Sequence, residues 1–462
     1  MSEPLVHDSY RGLLTLAWPV VLSRASQAVI GFSDAAMVAS LGEDAIAATT
    51  TGASNSLNLF ILPMGVVFIV QSFVSQLAGS GDRSATRRYA WYGLGIALAT
   101  GVLMALGTLG LDAVSRSLGY TDRVRELLVD YMTIRLLSAG FVIGVEALGN
   151  WFGGLGDTLR PMLVSVLAMV ANVFLNWVLI FGNLGAPALG VRGAALASSL
   201  SSLVAFVAIF VAFLAHRGDD RPAPDPGTAT TPGHGAELLR MLRFGLPNGV
   251  NWFLEFAAFT VFINVIVARL GTTAVAAMMA VVQVNSIAFM PSFGVSTAGA
   301  IVVGQAIGAG AKDRVARIVR RTMVLACSWQ GLVGLLYASA PGRVMSVFGG
   351  EGEGGAALVK LGAELLLVST LWQLFDAVAI SLSEALRAAG DTAWCMWARI
   401  VLAWVLFVPL SAALVLYFGV GPVGAIACFV VYLAVLALLM AYRYRTGAWR
   451  SIDLTGRGAL AH

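Results

Sequence analysis

Three acidic residues stand inside stretches that are otherwise apolar: Asp34, Glu255 and Asp376. Each shares a helix face with other polar side chains. Arg24, Gln27, Gly31 and Asp34 follow an i, i+3, i+7, i+10 pattern, Asn248, Asn251 and Glu255 form one stripe, and Gln373 precedes Asp376 by about a turn. Asn172 and Asn176 lie one turn apart in another apolar run, and Gln283 with Ser286 mark a further one. A charged side chain at the centre of a bilayer costs about 2.5–3.5 kcal/mol on insertion scales, so such a residue is a functional candidate by default. A carboxylate in that setting can hold a proton, or coordinate a hard cation together with amide and hydroxyl oxygens. None of the three acids has an evident basic partner on its own helix, which points to function. Arg24 reads as structural, a guanidinium that neutralises a neighbour or reaches the interface. Arg135 and Glu146, three turns apart, read as a structural charge pair or as interface residues.

The elements that carry these residues must cross a membrane. Of 462 residues 58% are hydrophobic and only 12% charged, against about 25% charged in soluble domains, and the mean hydropathy is +0.83. A spanning helix needs roughly 20 mostly apolar residues, and only helices or closed barrels satisfy the backbone in lipid. Twelve spans are expected, near 13–40, 47–78, 90–113, 131–153, 161–182, 193–215, 244–270, 274–308, 322–347, 361–386, 393–417 and 422–441. Bends are expected at Pro63 and Pro291, and close helix packing at Gly140 and Gly144. The start, "MSEPLVHDSY", lacks a basic n-region and reads as a short soluble segment before a retained helix.

The chain repeats itself around one Pro-, Gly- and Thr-rich break, "HRGDDRPAPDPGTATTPGHGAE". "LGEDAIAATT" returns as "LGTTAVAAMM", "VSQLAGSGD" as "VGQAIGAGA" and "GLGDT" as "AAGDT", at offsets of 228 to 234 residues. Six spans per half make the repeats parallel. The expected domains are a six-helix lobe over 1–215, a cytoplasmic linker over 216–243, a second six-helix lobe over 244–441 and a cytoplasmic tail over 442–462. With both termini inside, nineteen of the 29 Lys and Arg fall in cytoplasmic segments, seven in opposite loops and three within spans. That bias places both termini in the cytoplasm. It also accounts for the net charge of +4 without nucleic acid, since the basic residues are dispersed among loops.

Enzyme classes fall away for lack of parts. The four histidines lie in tails or the linker, and the three cysteines, Cys327, Cys395 and Cys428, sit in or beside apolar runs without a paired spacing. No cofactor is expected, nor any metal beyond Na+ held by the intramembrane carboxylates. "GQAIGAGAKD" lacks the Gly-Lys-Ser/Thr of a phosphate loop, so no ATP-driven step is legible. Secondary transport remains.

"WPVVLSRASQAVIGFSDAAMVASLG", "NVFLNWVLIFG", "WFLEF" and "WQLFDAVAISLSEALRAAGDT", in this order on a duplicated six-plus-six frame, resemble the multidrug and toxic compound extrusion (MATE) transporters, in particular the NorM-like branch. The resemblance covers essentially all twelve spans. It implies an all-α polytopic membrane protein, two parallel six-helix repeats forming two lobes around a central cleft. The implied activity is export of cationic or amphipathic drugs by antiport against inward Na+ or H+. It assigns cation binding and coupling to Asp34, Asn172, Asn176 and Ser198 in the first lobe and to Glu255, Gln283 and Asp376 in the second. Trp372, Gln27 and Asn251 are expected to line the substrate cleft. Trp372 stands where a NorM-like relative has a tyrosine, so a hydroxyl is lost and a cation-attracting ring face kept. Glu255 is expected to face the cleft, its charge compensated by solvent or a bound cation. The chain is expected to act as a monomer among lipids of a bacterial inner membrane. The alternative is a flippase for lipid-linked oligosaccharides, which shares the architecture and would line its cleft with Arg and Lys.

Overall fold

The computed structural model describes residues 8–116, 119–216, 233–350 and 352–456. Among these residues the chain is helical and has no strand. Eleven helices are long and apolar enough to cross a membrane, and a bent pair supplies a twelfth span. They are α1 (Tyr10–Ala39), α2 (Glu43–Gly79), α3 (Arg83–Arg116), α4 (Asp122–Leu137 with Ala139–Gly154), α5 (Leu159–Phe181) and α6 (Val191–Ala215). After the break come α7 (His234–Leu270), α8 (Thr272–Gly308), α9 (Val315–Ser339), α10 (Glu353–Ala388), α11 (Thr392–Tyr417) and α12 (Pro422–Arg445). Every predicted span is present. Residues 217–232 of the expected linker lie outside the described residues, but its last ten residues are already the start of α7. The expected tail is also shorter: α12 runs on to Arg445, and Trp449 and Leu454 are buried at 3% and 0% exposure.

The repeated motifs are the turns between spans. Gly42 and Gly271, Gly81 and Gly310, and Gly156 and Gly390 all have φ between 75° and 103°. Only glycine takes that left-handed backbone without strain. Each pair therefore sets the same reversal in both halves. Asp82 and Asp157 finish two of these turns by accepting the backbone N–H of Ala85 at 3.1 Å and of Arg160 at 3.2 Å.

Packing between spans relies on small residues, since lipid tails are as apolar as leucine and leave little hydrophobic drive. Gly140 lies against Gly101, and Gly144 against the Phe206 ring, as expected of that glycine pair. A Cβ at Gly193 would sit 2.4 Å from the Leu179 carbonyl oxygen, an atom fixed in the α5 backbone. Gly193→Ala should therefore destabilise the protein by about 1–3 kcal/mol. Gly95→Ala, with nothing within 4 Å of the added carbon, should not. Melting of the two purified variants in detergent reads the difference.

Contacts divide the chain into two compact units, Leu22–Gly249 and Met1–Val21 with Val250–His462. The division departs from the sequence halves at α1 and α7. The first part of α1 packs with the C-terminal spans: a Cβ on Gly294 would meet Val21 at 2.6 Å. The first part of α7 packs with the N-terminal spans, where Asn248 donates to the Gly65 carbonyl at 2.6 Å. Pro19 and Pro247 stand just before the two crossings. The helix assigned through Pro291 is continuous, and in α2 the interruption falls at Ile69 rather than at Pro63. Span 4 holds a larger correction. It bends by 44° at Ser138, and Arg135 and Glu146 do not pair. Arg135 donates to Ser138 at 3.4 Å, while Glu146 takes Arg24 of α1 at 3.4 Å.

Candidate functional site

The N-terminal unit closes a ring of hydrogen bonds around Asp34. Its Oδ2 accepts the Ser198 hydroxyl at 2.7 Å, and its Oδ1 accepts Asn176 Nδ2 at 2.5 Å. Asn176 Nδ2 also reaches Asn172 Oδ1, and Asn172 Nδ2 reaches Ser198 Oγ, each at 3.2 Å. Helical spacing explains the ring: Asn172 and Asn176 are one turn apart on α5, so both face the α1 and α6 side chains. Both asparagines are fully buried and Ser198 is 6% exposed, while Asp34 is half-buried. Asn176 Oδ1 is buried without a partner. Among the described residues no basic group pairs with Asp34. One carboxylate and a hydroxyl thus meet, beside two asparagine amides, where a monovalent cation or a proton could be held.

In the C-terminal unit Glu255 has a partner the sequence did not disclose. Arg399 Nη1 on α11 donates to Glu255 Oε1 at 2.6 Å and Oε2 at 2.8 Å. Arg399 Nη2 donates to Ser383 Oγ at 3.0 Å, and the Tyr432 hydroxyl on α12 reaches Glu255 Oε1 at 3.3 Å. The indole of Trp404 donates to the Leu254 carbonyl at 3.2 Å, fixing α11 against α7 beside the pair. This corrects the expectation that solvent or a bound cation compensates Glu255. The protein carries the compensating charge itself. Both helices that contribute the pair loosen into π-helix beyond it, over Phe262–Ile266 and Leu402–Phe407, a feature frequent at functional sites. Asp376 on α10 is half-buried, and its electrostatic neighbours are Arg399 and Glu255.

The MatE family model matches residues 19–178 and 249–413. This chain belongs to the MatE family. It is therefore an integral multi-pass membrane transporter and not an enzyme, and transporters of this family need no cofactor. Among relatives, the probable multidrug resistance protein NorM of Chromobacterium violaceum is 30% identical over 447 residues, 94% of this chain and 92% of its own. The protein of the same description from Thermotoga maritima is 28% identical over 428 residues, 91% and 89% of the two chains. A solved structure of a MOP superfamily transporter from Pyrococcus furiosus superposes with a TM-score of 0.86 at 20% identity, covering 97% of this chain and 98% of that one.

In this MatE transporter the remaining predicted residues are placed unevenly. Gln283 is exposed, and no side-chain hydrogen bond joins it to Glu255. Two residues on, Asn285 bridges α8 to α10: it accepts from Gln373 and donates to Ser369 at 3.3 Å. Trp372 does not offer its ring. It is 6% exposed and packs edge-on against Phe429, with ring centroids 5.1 Å apart. Tyr432 supplies at Glu255 the hydroxyl that Trp372 lacks. Gln27 accepts from Arg24 at 3.3 Å. Asn251 is 8% exposed with an unpartnered buried Oδ1. Arg399 was legible as a basic residue inside a span, whereas Tyr432 carried no signal within "VVYLAVLALL".

Proposed function

We propose that this chain is a secondary active multidrug exporter, antiporting organic cations and amphipathic compounds against inward Na+ or H+. The observation that carries the reading is Asp34, a carboxylate without a basic partner inside a ring of neutral amide and hydroxyl groups. Such a group takes a proton or a monovalent cation and gives it up with a change of site charge, which is what coupling requires. Asn172, Asn176 and Ser198 complete that site, and the Glu255–Asp376 cluster is the second. The family's named multidrug resistance relatives support drugs as cargo. The Lys and Arg bias supports an inner-membrane protein with both termini in the cytoplasm. The flippase alternative calls for basic residues free to bind pyrophosphate. Of the three basic residues within spans, Arg24 and Arg399 are salt-bridged to carboxylates and Arg135 donates to Ser138, which favours cationic cargo.

Sealed vesicles with separately imposed Na+ and H+ gradients test the proposal. Export of a cationic dye should accelerate under at least one inward gradient. Efflux indifferent to both would remove the antiport reading.

A further inference from the structure

The second acidic cluster holds two carboxylates and a guanidinium, so its formal charge is minus one. An arginine side chain stays protonated in proteins, so its charge is permanent. Here that charge is bound to one acid only. Both oxygens of Glu255 accept from Arg399, at 2.6 and 2.8 Å, and Ser383 and Tyr432 brace the pair. The Arg399 side chain is 12% exposed, which leaves it little room to find another partner. No hydrogen bond or ion pair reaches Asp376 among the described residues, although Arg399 and Glu255 are its electrostatic neighbours.

We propose that Arg399 is a specificity-determining residue. It acts as a built-in cation at Glu255, so that this unit accepts a single monocation, at Asp376. Glu255 is then a positioning residue: it holds the guanidinium away from Asp376, which the guanidinium would otherwise neutralise. The inference rests on the antiport reading above and takes Glu255 out of the set of groups that touch the cargo. It makes the consequences of substitution non-additive. Glu255→Gln frees Arg399 to cancel Asp376, giving a net charge of zero. Glu255→Gln with Arg399→Gln restores minus one, and Arg399→Gln alone gives minus two.

Binding of a monocationic and a dicationic fluorescent dye to purified protein in lipid nanodiscs tests this. A unit charge removed a few ångströms away at the effective dielectric of a protein interior is worth about tenfold or more in affinity. Glu255→Gln should therefore weaken monocation binding at least about tenfold, and the double variant should recover to within about threefold of the native protein. Arg399→Gln should shift the preference towards the dication by about tenfold. A double variant as weak as Glu255→Gln would overturn the inference, because Glu255 would then touch the cargo itself. Should Glu255→Gln not fold, an Arg399→Gln protein with unchanged dye preference would overturn it equally. Native protein that binds neither dye counts against the antiport reading and this inference together. Native binding with no recovery in the double variant counts against this inference alone.

Discussion

Asp376→Asn should cut export of a cationic dye by at least tenfold at an unchanged amount of protein in the membrane. Asparagine has nearly the same shape, and Asp376 makes no hydrogen bond or ion pair among the described residues that the substitution could break. With no such contact to break, none of the usual causes of a large loss of stability applies. The charge is another matter. With Arg399 held by Glu255, Asp376 carries the cluster's surplus negative charge. A monocation about 5 Å from it, at an effective dielectric near 20, gains about 3 kcal/mol, or roughly 100-fold in affinity. Efflux from proteoliposomes, normalised to inserted protein, measures the loss. Export at the native rate would mean that the C-terminal acids do not bind cargo or coupling ion.

Asp34→Asn should be nearly as severe for transport and mild for folding. The reason lies in the orphaned Oδ1 of Asn176. The new amide keeps one oxygen to accept from Ser198, and its NH2 finds an acceptor in an Asn176 amide turned to present that oxygen, with loss of the Asn176 to Asn172 hydrogen bond. The ring loses its charge and one hydrogen bond. Stability should fall by no more than about 1 kcal/mol, the value of one ordinary hydrogen bond, while coupled efflux falls at least about tenfold. Ser198→Ala provides the contrast. It removes a 2.7 Å donor to the carboxylate and leaves the charge, so it should slow transport without abolishing it. Dye efflux under an imposed ion gradient, set beside thermal melting of the same samples, separates the two effects. An Asp34→Asn protein that melts normally and exports normally would take the N-terminal ring out of the mechanism.

The two clusters were legible to different degrees. At Asp34 the reading from residues and resemblance was close to complete. Asn172 and Asn176 share a helix face through local spacing alone, and Ser198 was implied by the family resemblance. At Glu255 it was half complete. The acid was visible as a charge where charge is costly, but its partners lie 144 and 177 residues away, on α11 and α12. Local periodicity says which residues share a face; it does not say which face of another helix they meet. The pairing of Glu146 with Arg24, 122 residues away, was missed for the same reason. Arg135 and Glu146 share one nominal helix, yet each takes a different partner, Ser138 and Arg24.

By itself the sequence determined the class of protein, the twelve crossings, the duplication and the turns that repeat in it. Each of these follows from composition, from an apolar length set by the bilayer, or from a glycine that alone tolerates a left-handed turn. It also determined which acids need an explanation, because a charge in an apolar run is expensive wherever the helix packs. The tertiary structure alone decided how each charge is compensated and which aromatic rings are buried. In a membrane both the lipid-facing and the inward-facing sides of a helix are apolar, so hydrophobic pattern cannot tell Trp372 in the core from Trp397 at 61% exposure. Only the packing of α7, α10, α11 and α12 pairs Arg399 with Glu255 and leaves Asp376, among the described residues, without an ion pair.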